Sequence, residues 1–312
     1  MPLDLDPLQN APRLLFDVEL KPLMGSTFQP TGFPDLGAAS YQDGQGTACL
    51  LVESAQSMAN RLENTLWDEG ENDLIAPAAG LSHVRVERDG AYLTSSITEA
   101  HRLNSGYITS NKEFFAVLKD SLGGLEKGPI DRKLLHATLL RLDANCLLHG
   151  VFFADGKLAG GRLRVARALS SIVEARGVVV AASGGVKNDH VNPQGAAKDG
   201  FGNVPFARDE YAAERITASF CLDLQQVRAY GLGADAERLL TVLALYKIRA
   251  LLDGHLRFRT RCDLEVAPEG PVTSRRPAGF ELPTLDTLTA ELPGAIAACA
   301  DRMETTTVPF SA

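Results

Sequence analysis

Most of the signatures that fix a chemistry on sight are missing from this chain. Its 312 residues include five cysteines, Cys49, Cys146, Cys221, Cys262 and Cys299. They are odd in number, far apart and form no C-x-x-C pair. That argues against a disulfide framework or a zinc site and for the reduced thiols of a cytoplasmic protein. No apolar run approaches the ~18–20 residues of a membrane span. The acidic start, Met1-Pro2-Leu3-Asp4-Leu5-Asp6, lacks the cationic segment of a signal peptide, so no membrane association is expected. An excess of positive charge is missing too. The formal net charge of −8 argues against a generic nucleic-acid coat but leaves room for a local basic groove, because binding depends on where charge sits. H-E-x-x-H and G-x-S-x-G are absent. Val178 to Gly185 has the look of a phosphate-binding turn, but a P-loop needs Gly-Lys-Ser/Thr opening a helix, and Lys187-Asn188-Asp189 leads instead to Asn192-Pro193. No internal repeat, heptad array or low-complexity tract occurs, and no metal or cofactor is expected.

What is present begins with a hydrophobic content of 45%, enough for a substantial core in one large domain or two ordinary ones. The chain is organised around Val178 to Leu224. Val178–Ala182 and Ile216–Leu222 read as strands, since β-branched and apolar residues suit a pleated, half-buried surface. The connection between them is rich in Gly, Asn and Pro and should not form a long helix. It is longer than the ~12–15 residues beyond which loops are usually functional or disordered. It carries Lys187, Asn188, His190, Asn192, Lys198, Phe201, Asn203, Phe206 and Arg208. Aromatics and cations on a long hairpin arm suit a chain that grips a polyanion with stacking bases; a disordered surface loop is the alternative.

Around this arm the order is legible. Leu14–Leu20 reads as a first strand, followed by a Gly/Pro-rich loop from Pro22 to Gly46 that is ordered only if something packs on Phe28 and Phe33. Cys49–Val52 leads into a helix with Ser54 as N-cap and Met58, Leu62 and Leu66 as its core stripe. Its other face shows Gln56, Ser57, Asn60 and Arg61, either solvated surface or a contact to phosphate and sugar. Leu81–Leu93 reads as a strand pair turning at Asp89-Gly90. Ser95–Tyr107, with His101, Arg102 and Asn104, reads as a short helix ended near Gly106. Asn111 and Pro129-Ile130-Asp131 open two further helices. Cys146–Phe153 reads as a buried strand, with His149 a core histidine rather than a ligand.

Gly160-Gly161 then precedes an expected helix through Leu163, Ala166, Leu169, Ile172 and Val173. Arg162, Arg164 and Arg167 fall in its first turns, where cations oppose the helix dipole; an anionic partner would explain them. Asp235–Leu252 is the clearest helix. Leu256–Val266 reads as one strand with His255, Arg257, Arg259 and Arg261 on one face, because side chains alternate with period two. Pro268–Pro283 is a connector, and an amphipathic helix near Leu285–Met303 precedes a polar tail. From Cys146 onward the order strand, helix, strand, arm, strand, helix, strand matches a split βαβ pattern of the ferredoxin-like kind, giving an α+β fold. Asp189-His190 as an acid/base pair carries little specificity.

Longer stretches carry a resemblance. Val52-Glu53-Ser54-Ala55-Gln56-Ser57-Met58-Ala59-Asn60-Arg61-Leu62-Glu63, Leu148-His149-Gly150-Val151-Phe152-Phe153, Ala181 to Asp189, Gly200-Phe201-Gly202-Asn203-Val204-Pro205-Phe206 and Ala244-Leu245-Tyr246-Lys247-Ile248-Arg249 resemble the backbone subunit of the type I-G (formerly I-U) CRISPR Cascade, a Cas-seven member of the RAMP superfamily. The resemblance implies a modified ferredoxin-like, or RRM, palm (12–66 with 146–182 and 214–266), helical finger insertions (67–145), a long β-hairpin thumb (183–213) and a C-terminal connector and helix (267–312). It implies a non-catalytic subunit that binds CRISPR guide RNA, stacks head-to-tail along the spacer as a helical filament, and serves antiviral defence. Its partners would be further copies of itself, the large and processing or capping subunits, and target DNA by way of the guide. The arm would be the thumb, and the Ser54 helix and arginine strand would line the guide groove. The alternative is a RAMP-family ribonuclease cutting RNA with a loop aspartate, for which Asp35 and Asp43 are the candidates.

Overall fold

A computed structural model describes residues 3–33, 37–122, 129–267 and 270–311 of the chain. Asp35 and the side chain of Phe33 lie outside the described residues. The elements that position the site are β1 (Leu14–Pro22), β2 (Ser40–Gln42), β3 (Ala48–Glu53), α1 (Ala55–Asn64), β4 (His83–Arg88), β5 (Ala91–Ser95), α2 (Lys112–Ser121), α3 (Arg132–Leu142), α4 (Asn145–His149), β6 (Val151–Phe153), β7 (Leu163–Val165), β8 (Leu169–Arg176), β9 (Val179–Lys187), β10 (Val204–Ala212), β11 (Arg215–Leu222), α5 (Ala234–Gly254), β12 (Arg257–Arg259), β13 (Cys262–Val266), α6 (Leu285–Ala297) and β14 (Thr305–Pro309).

Seven of the strands form one sheet in the order β12-β13-β1-β11-β8-β3-β2. All neighbours are antiparallel, so the fold is mixed α+β on an antiparallel sheet. β8 shows why these residues choose a strand. Leu169, Ser171, Val173 and Ala175 are buried while the residues between them are partly exposed, a period-two pattern that seats one face on the core. The expected helix through Leu163–Val173 is therefore corrected to β7 and β8. Leu163, Ala166, Leu169 and Ile172 mimic a helical spacing, and the small Ser171 in the buried set conceals the alternation.

Three other expectations change. Cys146–Phe153 is not one strand: Asn145–His149 is helical and only Val151–Phe153 is extended. Val178–Ala182 does not pair with Ile216–Leu222. β9 pairs with β10, from Val179↔Ala212 out to Lys187↔Val204, while β11 pairs with β1 and β8 in the main sheet. The segment Leu256–Val266 turns back on itself as β12 and β13, with a register shift between Arg257 and Arg259, so it is not one strand with its arginines in a row. Smaller differences are that Gly106 opens a short helix rather than ending one, and that the tail forms β14, parallel to β4.

Helix caps follow their chemistry. The Ser54, Asn111 and Asp131 side chains accept from Ser57 N, Phe114 N and Leu134 N, each satisfying a backbone donor that the first turn leaves without a partner. Met58, Leu62 and Leu66 are fully buried, as the stripe predicts. α5 is buried on nearly every side and packs against α1, α4 and α6. Phe28 is buried, and its backbone pairs with Tyr211 at the base of the arm, N to O 2.8 Å and back 2.9 Å. That contact orders the loop after β1.

Candidate nucleic-acid interface

The arginines noted in the sequence separate into two kinds. The first kind is paired. Glu53, almost fully buried, accepts from Arg61 at 3.1 Å and Arg259 at 2.7 Å. Arg61 also donates to Phe258 O at 2.9 Å and lies 4.8 Å from the centre of the Phe258 ring. Glu210 accepts from Arg208 and Arg261, both at 2.9 Å, and from Thr27 Oγ1 at 2.8 Å. The hydrogen bonds from Arg261 lead the effects that hold the Glu210 carboxyl down, at about 2. These pairs tie β12 to β3 and the turn between β12 and β13 to the base of the arm. The expectation that Arg257, Arg259 and Arg261 form one cationic face is corrected: only Arg257 stands largely in solvent, with Asp263 at 3.8 Å.

The second kind lines a cleft of about 900 Å³ between α1, the start of α3 and the β6–β7 ribbon. It gathers Gln56, Arg162, Arg164 and Arg167 from the expected set, together with His101, Asn104, Arg132 and Phe152. Arg167 donates to Gln56 Oε1, and Gln56 Nε2 donates to Asn60 Oδ1 at 3.2 Å. Arg162 Nε donates to Ala159 O at 2.8 Å. Among the described residues no carboxylate pairs with Arg132, Arg164 or Arg167. Burial, followed by the neighbouring Arg102 charge, holds the Arg167 pKa below the ordinary guanidinium value. Cations gathered without counter-charge raise one another's energy, and an anion in the cleft relieves it.

Beneath the cleft lies a buried polar network. Arg102 and Glu63 form a two-pronged pair, 2.6 Å on each prong. Arg102 also donates to Gly150 O at 3.2 Å. Burial pushes the Glu63 carboxyl up, to about 7, against the pull of Arg102; the paired geometry is that of a carboxylate on a guanidinium. Gly150 has φ +79, and a Cβ there would meet Val165 O at 2.8 Å, so glycine lets β7 approach. Lys247, fully buried, donates to Asn145 Oδ1 and shares a hydrogen bond with His149 Nε2 at 2.8 Å. Burial lowers the Lys247 pKa to about 7 and keeps His149 neutral, well below its ordinary value. His149 is thus a core histidine, as expected, although one side of it lines the cleft.

The arm carries the remaining expected residues. Lys187 ends β9 and Phe206 sits in β10, while Asn188, His190, Asn192, Lys198, Phe201 and Asn203 occupy the tip between them. Phe201 is 55% and Phe206 41% exposed. The tip is ordered by Asp189, whose carboxylate accepts from Val191 N, Asn192 N and Gly202 N at 2.8–3.0 Å. Those backbone donors hold its pKa below the carboxylate range. Asn203 Oδ1 accepts from Asp189 N at 2.7 Å. Gly202 is required here: at φ +83 a Cβ would lie 2.0 Å from Gly195 O. Asp189 thus forms the turn at the tip. Ser54 and Ser57 are engaged in the cap of α1.

Sequence reasoning gave no role to Arg132 or Phe152. Arg132 directly follows the Asp131 cap, and Phe152 belongs to a Phe-Phe pair of which a period-two ribbon must turn one outward; both signals were readable. A chain of a structure described as "CRISPR RNA-guided surveillance complex, pre-nicking" is 16% identical, with coverage of 77% of this chain and 71% of that one and a TM-score of 0.40. A chain in "Crystal structure of Thermofilum pendens Csc2" is 9% identical, with coverage of 95% and 78% and a TM-score of 0.33. No curated protein matches the chain. The family model described as CRISPR-associated protein GSU0053 matches residues 14–180, more than half of the sequence, and the chain belongs to that family of CRISPR-associated proteins.

Proposed function

We propose that this protein is the guide-RNA-binding backbone subunit of a type I Cascade, of the I-G subtype and the Cas-seven branch of the RAMP superfamily. It binds the CRISPR RNA through the phosphate chain, stacks head-to-tail along the spacer, and supports pairing of guide with target DNA. The observation that carries this reading is the cleft in which Arg132, Arg164 and Arg167 converge without carboxylates, in a chain of net charge −8. A chain with excess acid that leaves these arginines together has a site built for an anionic polymer. The arm, with exposed Phe201, Phe206, Lys187 and Lys198, supplies a clamp of the kind that folds over single strands. The order β13-β1-β11-β8 in the centre of the sheet, with α1 and α5 as the two crossovers, supports a ferredoxin-like palm.

The subunit acts without cutting RNA. Asp43, the described candidate for a cleaving aspartate, accepts from Gln45 N at 2.9 Å and Thr47 N at 3.0 Å and pairs with Arg176 at 2.9 Å, so its carboxylate serves a turn. Purified protein with guide RNA should form rods whose length follows RNA length, since head-to-tail contacts need not close. RNA recovered by pull-down should be spacer-derived. A closed dimer of fixed mass, or cleavage of complementary RNA in Mg²⁺, would contradict the proposal.

A further inference from the structure

The cleft holds one residue that phosphate binding does not explain. Phe152 is 52% exposed, although its neighbours on the ribbon, Val151, Phe153, Leu163 and Val165, are all buried. It stands directly across from Arg164 in the β6–β7 register. Cross-strand partners point to the same face with Cβ atoms ~4.5–5.5 Å apart, so the ribbon offers an aromatic face and a guanidinium side by side. Single exposed apolar residues on a surface need no explanation. This one lies inside a concave site lined by arginines, where solvated phosphate contacts alone would favour a polar residue.

We infer that the cleft takes a nucleobase of the bound single-stranded RNA, stacked on Phe152 beside Arg164. The occupant must have a flat π face for Phe152 and an attached anion for Arg164 and Arg167. A nucleotide in a single strand combines both, because every base has a face that stacks whatever its sequence. The ribbon is suited to hold such a platform still: Arg102, fixed by Glu63, grips Gly150 O at the entry to β6, and Ala168 N donates to Leu148 O at 2.8 Å where β7 leaves. This subsite rests on the RNA-binding reading above and deepens it, from a groove for phosphates to one that removes a base from the stack. It is separate from the arm, whose Phe201 and Phe206 lie outside the cleft.

The test uses the full chain with unstructured RNA carrying 2-aminopurine at successive positions. Quenching should be strong at a subset of positions. Phe152→Leu should abolish it there, with affinity lowered on the order of 10-fold, while Phe152→Trp retains both. A Phe201→Ala, Phe206→Ala variant should keep the Phe152-dependent quenching. An abasic nucleotide at the same position should weaken binding to the parent protein as Phe152→Leu does, which covers the case of a variant that fails to fold. Parent-like affinity and quenching in Phe152→Leu, or no penalty for the abasic site, would overturn the subsite. If Arg164→Gln and Arg167→Gln still weaken binding in that event, the phosphate reading stands without it; if they do not, both readings fall.

Discussion

Arg259 donates to the Glu53 carboxylate at 2.7 Å, and that carboxylate is only 3% exposed. This contact, shared with Arg61 at 3.1 Å, decides what the arginine is for. A guanidinium committed to a buried carboxylate fastens the structure and has little left for a ligand. Removing one partner of such a pair leaves an uncompensated buried charge, which costs about 3–5 kcal/mol. Glu53→Gln removes the buried charge itself and leaves Arg61 and Arg259, 27% and 25% exposed, so it should lower stability in denaturant unfolding by less than that figure. Arg259→Gln should lower thermal stability while changing RNA affinity little. Arg164→Gln and Arg167→Gln should do the reverse, because neither arginine has a carboxylate to lose.

The Glu210 cluster predicts an acid-sensitive arm base. The Glu210 carboxyl is held at about 2 against an ordinary 4.5. Between those values the unfolded chain binds the proton that the folded chain refuses, so stability falls as pH falls through that window and is fully present above 4.5. Unfolding followed across the window should be steeper in the parent than in Glu210→Gln. Equal slopes would mean that the carboxylate is not held by Arg208 and Arg261.

The arm should be separable from the body. Its ladder runs from Val179↔Ala212 to Lys187↔Val204, so replacing residues 188–203 by a short Gly-rich turn leaves the ladder and its Tyr211–Phe28 contact in place. Loop-closure cost changes only slowly with length, and the melting temperature should fall little. Guide affinity should fall strongly with the loss of Lys198 and Phe201. Retention of full affinity and nuclease protection would show that the arm is not a clamp.

Legibility in the sequence tracked how local each cause is. The Ser54, Asn111 and Asp131 caps, the Asp89-Gly90 turn and the buried stripe of Met58 and Leu62 each depend on a few neighbouring residues, and all were readable. β8 was not, because Leu169 to Val173 satisfies both a helical and a strand period, and its pairing with β3 and β11 decides between them. Nor was the division of arginines. Arg259 and Arg164 look alike in sequence; what distinguishes them is whether a carboxylate from a distant segment, Glu53 in one case, reaches the guanidinium. Arg162, Arg164 and Arg167 stand out in the sequence as a cluster that an anionic partner would explain. They do meet in one cleft, but they lie on and beside a ribbon rather than in the first turns of a helix of their own, and Phe152 and Arg132 complete it.

The most direct measurement is the salt dependence of RNA affinity in the parent and in an Arg164→Gln, Arg167→Gln variant. Each phosphate neutralised on a single strand contributes ~0.7 to the slope of log affinity against log salt. The parent affinity should fall steeply with salt, and the double variant should show a slope smaller by ~1.4 per bound subunit, with thermal unfolding unchanged. The same loss should appear on RNAs of unrelated sequence, since phosphate contacts carry no base information. Identical slopes in the two proteins, or a parent affinity that does not respond to salt, would contradict the account.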